Sequence, residues 1–175
     1  MTALGALSTA MLVGSADFLF GVAARKSGPL SVPLVGQACG LVVLGASIIL
    51  VYAPWVRGAD LVWGAAAGAI AAIAHILLLA AMATGQMSVV APIAAATGAI
   101  VPAAYGLGFD DAPEGTALAG IVVAIFAIVL VSSEERAAAA TSTRAVLYSL
   151  ASGCFFGVFF LALAFTSTDA GMWPL

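Results

Sequence analysis

Charge is what this sequence has least of. Only 7% of its 175 residues are Asp, Glu, Lys or Arg, against about 25% in an ordinary soluble domain, and the mean hydropathy is +1.21. Such a chain cannot present a polar surface to water, so its class is an integral membrane protein. The 5 basic residues form no patch, which excludes a nucleic-acid binder, and the net charge of -3 resides in connecting segments. Histidine occurs once. There is no Gly-x-Ser-x-Gly, His-Glu-x-x-His, P-loop or dinucleotide fingerprint, and no nucleophile stands beside the single acid that falls inside an apolar run. An enzyme is therefore excluded, and no cofactor is expected. The 2 cysteines, Cys39 and Cys154, lie inside apolar runs without a CxxC or Cys/His pairing. They support neither a disulfide framework nor a metal site and read as small apolar packing residues. A positive leader region is missing at the start, so the first apolar segment reads as a retained span. The alternating pattern of a membrane barrel is also missing, as are the filter-like run and charged ring of a channel.

What the chain has is long apolar runs. A span needs about 20 mainly apolar residues, and six stretches qualify: Leu4 to Ala24, Val32 to Val56, Leu61 to Ala83, Val89 to Phe109, Thr116 to Ser132 and Ala145 to Phe165. The expected fold class is an all-α polytopic membrane protein. Glu134 to Arg144 is the longest polar connection, so the chain divides into a five-helix unit over residues 1–135, a linker over 136–144, and the start of a second unit over 145–175. Trp55, Trp63 and Trp173 fall near span ends, where indoles anchor at the interface.

The fourth stretch is unusual because it combines membrane-grade hydropathy with Pro92, Gly98 and Pro102. Pro102 has no N–H to donate to the carbonyl of Gly98, and Pro92 has none for that of Ser88. Carbonyls freed in this way are tolerated at membrane depth only where protein, a hydroxyl or water satisfies them. The hydroxyl of Thr97 is nearby. Ala91, Ala95, Gly98 and Pro102 share one helical face and form a groove. A translocation path and a tightly packed helix pair both use such a face.

Four residues are candidates for a substrate or proton pathway. Asp17 is the only acid inside a span; an ionised carboxylate at the bilayer centre costs about 2.5–3.5 kcal/mol on insertion scales, so it either couples protons or holds helices together. His75, in the middle of the third stretch, is a proton relay, a substrate contact or a neutral interhelical bond. Gln37 and Thr97 line a polar cavity or serve as interhelical glue.

The motifs Gly14-Ser15-Ala16-Asp17-Phe18, Gly36-Gln37-Ala38-Cys39-Gly40-Leu41 and Gly85-Gln86-Met87-Ser88-Val89-Val90-Ala91-Pro92-Ile93 resemble the EamA-type branch of the drug/metabolite transporter superfamily. Leu12 to Gly21 and Ala151 to Phe160 also place Gly and Phe alike, as a repeat would. The chain departs from the family at Asp110-Asp111-Ala112-Pro113, where a Gly-Glu-Arg-Pro-like turn is usual, and at Leu78-Leu79-Ala80, where aromatic and polar residues are common. The resemblance implies ten helices in two inverted five-helix units and movement of small metabolites through a central cavity.

The resulting expectation is a secondary transporter of a small metabolite or drug-like solute in a bacterial inner membrane, with Asp17 as the proton-coupling group. The alternative is a non-transport membrane subunit that packs against partner helices. The chain is expected to be a fragment whose reading frame continues through about four more spans. The missing half, or a second copy as a homodimer, would then partner it. Without one, Gly153 and Gly157 should face lipid. The basic residues place the N terminus outside under the positive-inside rule, whereas the family resemblance, to which we give precedence, places it inside.

Overall fold

The computed structural model describes residues 3–28, 30–50, 56–109 and 142–171, with Val122, Phe126 and Trp173. Over these it is all-helical: α1 (Ala3–Ser27), α2 (Ser31–Leu50), α3 (Gly58–Thr84), α4 (Met87–Phe109), α5 (Thr143–Ala164) and a 3-10 turn at Thr168–Ala170. Among the described residues, four helices are long and apolar enough to cross a bilayer, over Leu7–Ser27, Gly58–Thr84, Met87–Gly108 and Thr143–Ala164. The chain is a membrane protein. α2 is described over Ser31–Leu50, roughly 30 Å of helix, and residues 51–55 at the end of the second stretch lie outside the described residues. Val122 and Phe126 are helical and exposed; the rest of the expected fifth span and most of the linker lie outside the described residues.

Local chemistry sets the helix ends. Gly28 follows α1 at φ 90°, a conformation that favours glycine, and its amide donates to Ala24 O at 3.0 Å. Pro33 sits in the first turn of α2, where its missing N–H has no helical partner to lose. Between α3 and α4 the chain reverses at Gly85-Gln86, and the Gly85 amide closes onto Ala81 O at 2.8 Å. A Cβ on Gly85 would stand 2.7 Å from that of Ala145, so close approach of α5 requires glycine there. Arg25 crosses from α1 to this turn, donating from Nε to Met82 O at 3.0 Å and from Nη2 to Gly85 O at 2.7 Å. It thereby occupies carbonyls that the end of α3 leaves open.

Neighbour pairs give the helix directions. Gly85 meets Ala145, Gly98 meets Gly153, and Val101 meets Gly157, so α4 and α5 run parallel. Ser152 donates to Ala74 O at 2.8 Å while Ser167 reaches Asp60, so α3 and α5 run antiparallel. Gly21 and Arg25 both meet the end of α3, which makes α1 parallel to α3. The core of Ala24, Leu78, Leu79, Ala81, Met82, Val90, Ala94 and Ala145 gathers where α3 ends and α4 and α5 begin.

The α4–α5 seam corrects two expectations. Gly153 and Gly157 do not face lipid: both are buried, and a Cβ on Gly153 would lie 2.5 Å from both Ala94 O and Thr97 Cβ. The packing face of α4 is Ala94, Thr97, Gly98 and Val101, rotated from the one read from sequence, and it leaves Ala95 exposed. α4 runs through Pro92 and Pro102 as one helix. The Gly98 carbonyl that Pro102 frees points at Gly157, 3.0 Å from where a Cβ would stand. A weak Cα–H donor at Gly157 fits that space, whereas a side chain would not.

At the opposite end, Asp60 ties α3 to the segment after α5. Its Oδ1 accepts from the Ser167 amide at 2.8 Å, and its Oδ2 accepts from Ser167 Oγ at 2.8 Å and the Arg57 amide at 3.0 Å. Beneath this staple Phe165 stacks on Trp63, with centroids 5.0 Å apart, and meets Tyr105 edge-on at 6.2 Å. Asp60→Asn should lower the melting temperature in detergent more than Ser167→Ala, because the amide nitrogen faces backbone donors while the alanine removes one bond of three. Equal or reversed effects would show that the staple does not hold this end.

Candidate functional site

A helix repeats its face every three to four residues, so Asp17, Phe20, Gly21 and Ala24 share one side of α1. That side faces the bundle: Ala24 is buried, and a Cβ on Gly21 would stand 3.0 Å from the methyl groups of Met82 and Met87. Asp17, one turn earlier and half-buried, lies on the side of α1 that faces His75 of α3. Phe20 reaches α2, where its ring lies 3.3 Å from a Cβ imagined on Gly36. The bare backbone of Gly36 admits the ring.

Around Phe20 the helices leave a cleft of about 90 Å³, lined by Phe20 from α1, Pro33, Gly36 and Gln37 from α2, and His75 and Leu79 from α3. It lies in the half of the bundle nearer the α1–α2 turn. His75 Nδ1 is 3.2 Å from Ala71 O. A carbonyl only accepts, so Nδ1 carries the proton and Nε2 keeps a lone pair when the ring is neutral. Phe156 of α5 meets the imidazole edge-on, with centroids 5.0 Å apart. Gln37 is exposed, and no hydrogen bond joins it or Asp17 to another described residue.

Three of the four pathway candidates therefore converge: Gln37 and His75 line the cleft, and Asp17 stands on the α1 face that adjoins it. Thr97 does not join them. It lies in the α4–α5 seam and donates to Ile93 O at 2.8 Å, the backbone bond a helical threonine makes by default, so it satisfies neither carbonyl freed by a proline. Pro92 and Pro102 also belong to α4, and Gly98 lies in the seam, away from the cleft. Cys39 and Cys154 are exposed on helix faces and do not fill contacts between helices. Among the described residues no three His, Cys, Asp or Glu side chains gather as metal ligands would.

Reading the sequence for polar residues alone missed Phe20, Pro33 and Leu79. Each lies one helical turn from a candidate, three after Asp17, four before Gln37 and four after His75, so periodicity could have found them. The staple at Asp60 had no such signal.

No protein-family model, curated protein or solved structure matches this chain.

Proposed function

We propose that this chain is a secondary transporter of the EamA type, in the drug/metabolite transporter superfamily. It would move a small metabolite or drug-like solute across a bacterial inner membrane along the cleft between α1, α2 and α3. One observation carries the reading: Gln37 and His75, with Asp17 beside them, meet along the helices, and among the described residues none of the three makes a hydrogen bond between helices. Polar groups left unpaired in a bilayer are expensive, so they mark places where water or solute supplies the partners.

Helix direction supports an inverted repeat. α4 and α5 run the same way, the relation expected of the fourth and sixth spans in the six-span reading. α5 then opens a second unit antiparallel to α1, as inversion requires. Partner helices would close the path against the exposed faces of α1 and α2.

The second reading, a non-transport subunit, is favoured by the α4–α5 seam, which absorbs Thr97, Gly98 and the small-residue face into plain packing. Solute flux separates the two. A metabolite export screen, followed by uptake into proteoliposomes, should find a solute that crosses faster than in protein-free vesicles. A folded, reconstituted protein that moves none of the screened solutes would sink the transport reading.

Arg25, Lys26 and Arg144 collect at one end of the bundle, and Arg57 stands at the other. The positive-inside rule would make the first end cytoplasmic, but the family resemblance, to which we give precedence over so few charges, places that end outside and the N terminus in the cytoplasm. Cysteine placed at Ser27, in a background lacking Cys39 and Cys154, should react with an impermeant thiol reagent from outside. Labelling only from the cytoplasmic side would contradict this topology.

A further inference from the structure

The proposed path has a chemical polarity of its own, and it points to one class of solute. Among the described residues within the spans, Asp17 is the only acid that is not already engaged by a backbone donor; the other, Asp60, is held by Ser167 and Arg57. The nearest cation along α1, Arg25, lies about 12 Å further on by helical rise and donates to the carbonyls of Met82 and Gly85. Among the described residues, His75 of α3 is the titratable group facing Asp17, and α2 contributes Gln37, which is neutral.

Counting donors and acceptors sharpens this. The cleft offers three kinds of acceptor: the Asp17 carboxylate beside it, the His75 Nε2 lone pair fixed by the bond from Nδ1 to Ala71, and the Gln37 side-chain carbonyl. Its one side-chain donor is the Gln37 amide. An anion would find a single donor and a repelling carboxylate. A primary ammonium has three N–H donors and one positive charge, and the Phe20 ring beside it adds cation–π attraction. Pro33, Gly36 and Leu79 leave the remaining wall apolar, and about 90 Å³ holds a chain of a few carbons.

We infer that the cleft binds a small primary ammonium ion carrying a short alkyl group. The inference deepens the transport reading by naming its substrate class, and binding can be measured without flux. The test uses three probes of equal carbon number, n-propylammonium, 1-propanol and propionate, titrated into the full chain in nanodiscs at neutral pH, where the amine is protonated. Calorimetry should detect n-propylammonium and neither of the others. Asp17→Asn should weaken binding about tenfold or more, the loss expected for a hydrogen bond to a charged group. Gln37→Leu, at an exposed position the fold does not depend on, should weaken it less, and Gly14→Ala, facing open space, should leave it unchanged. Comparable binding of 1-propanol or propionate, or no binding of n-propylammonium to folded protein, would overturn the assignment. Ammonium binding without flux would remove the transport reading and keep the site; flux of a neutral solute without ammonium binding would do the reverse.

Discussion

Replacing Gly153 with valine should cost this protein about 3 kcal/mol or more of stability, the upper end of what overpacking costs. The geometry leaves nowhere for the side chain. Even the first carbon would meet Ala94 O and Thr97 Cβ at 2.5 Å and Gly98 N at 3.0 Å. Two of those three atoms are backbone, so no rotamer change in α4 makes room and α5 must move bodily. Moving it would strain the Ser152 bond to Ala74 O and separate Gly157 from Val101 and the Gly98 carbonyl. Gly157→Ala should also destabilise, by about 1–3 kcal/mol. Gly14 and Gly106 have open space where a Cβ would go, and Gly14→Ala or Gly106→Ala should be neutral or stabilise by about 0.5–1 kcal/mol through lost chain entropy. Thermal unfolding in detergent checks both sets. A Gly153→Val protein as stable as Gly14→Ala would show that the α4–α5 seam is not the mechanical core of the bundle.

The second large effect is expected on flux and not on folding. Asp17→Asn should insert and accumulate like the parent, keep its melting temperature, and lose pH-dependent flux altogether. Asp17 accepts no hydrogen bond from a described residue, so the amide breaks no contact, while it removes a group whose burial at the bilayer centre costs about 2.5–3.5 kcal/mol. A carboxylate kept at that cost with no hydrogen-bond partner among the described residues is kept for its charge. Initial rates in proteoliposomes at two pH values, with thermal unfolding alongside, provide the check. Unchanged flux with a lowered melting temperature would assign Asp17 to structure.

The spans were legible because hydropathy depends on composition, and α1, α3, α4 and α5 begin and end within a few residues of the apolar stretches. Helix rotation was not. α4 is apolar all round, so its small residues mark a close contact without fixing which side makes it. By sequence Ala95 belongs to the packing face, which Ala94 occupies in the structure. Thr97 reads as a polar cavity residue, but its hydroxyl turns onto Ile93 O. The staple of Asp60 on Ser167 joins residues 107 apart in sequence, and nothing local announces it. The convergence of Gln37 and His75 was legible as chemistry, since polar groups in a span need partners. Their meeting in one cleft with Phe20 depends on how α1 and α2 lie against α3, which no single helix encodes.

Water access to the cleft bears most directly on whether this bundle is a conduit. Cysteine introduced at Gln37, in a protein whose Cys39 and Cys154 have been replaced, should react with a charged, membrane-impermeant thiol reagent at a rate near that of an exposed loop cysteine. The same substitution at Val101, in the α4–α5 seam, should stay unreactive in the folded protein. A Gln37→Cys protein as inert as the Val101 control would mean that the cleft is closed to water, and the bundle would then be a packing subunit with no path through it.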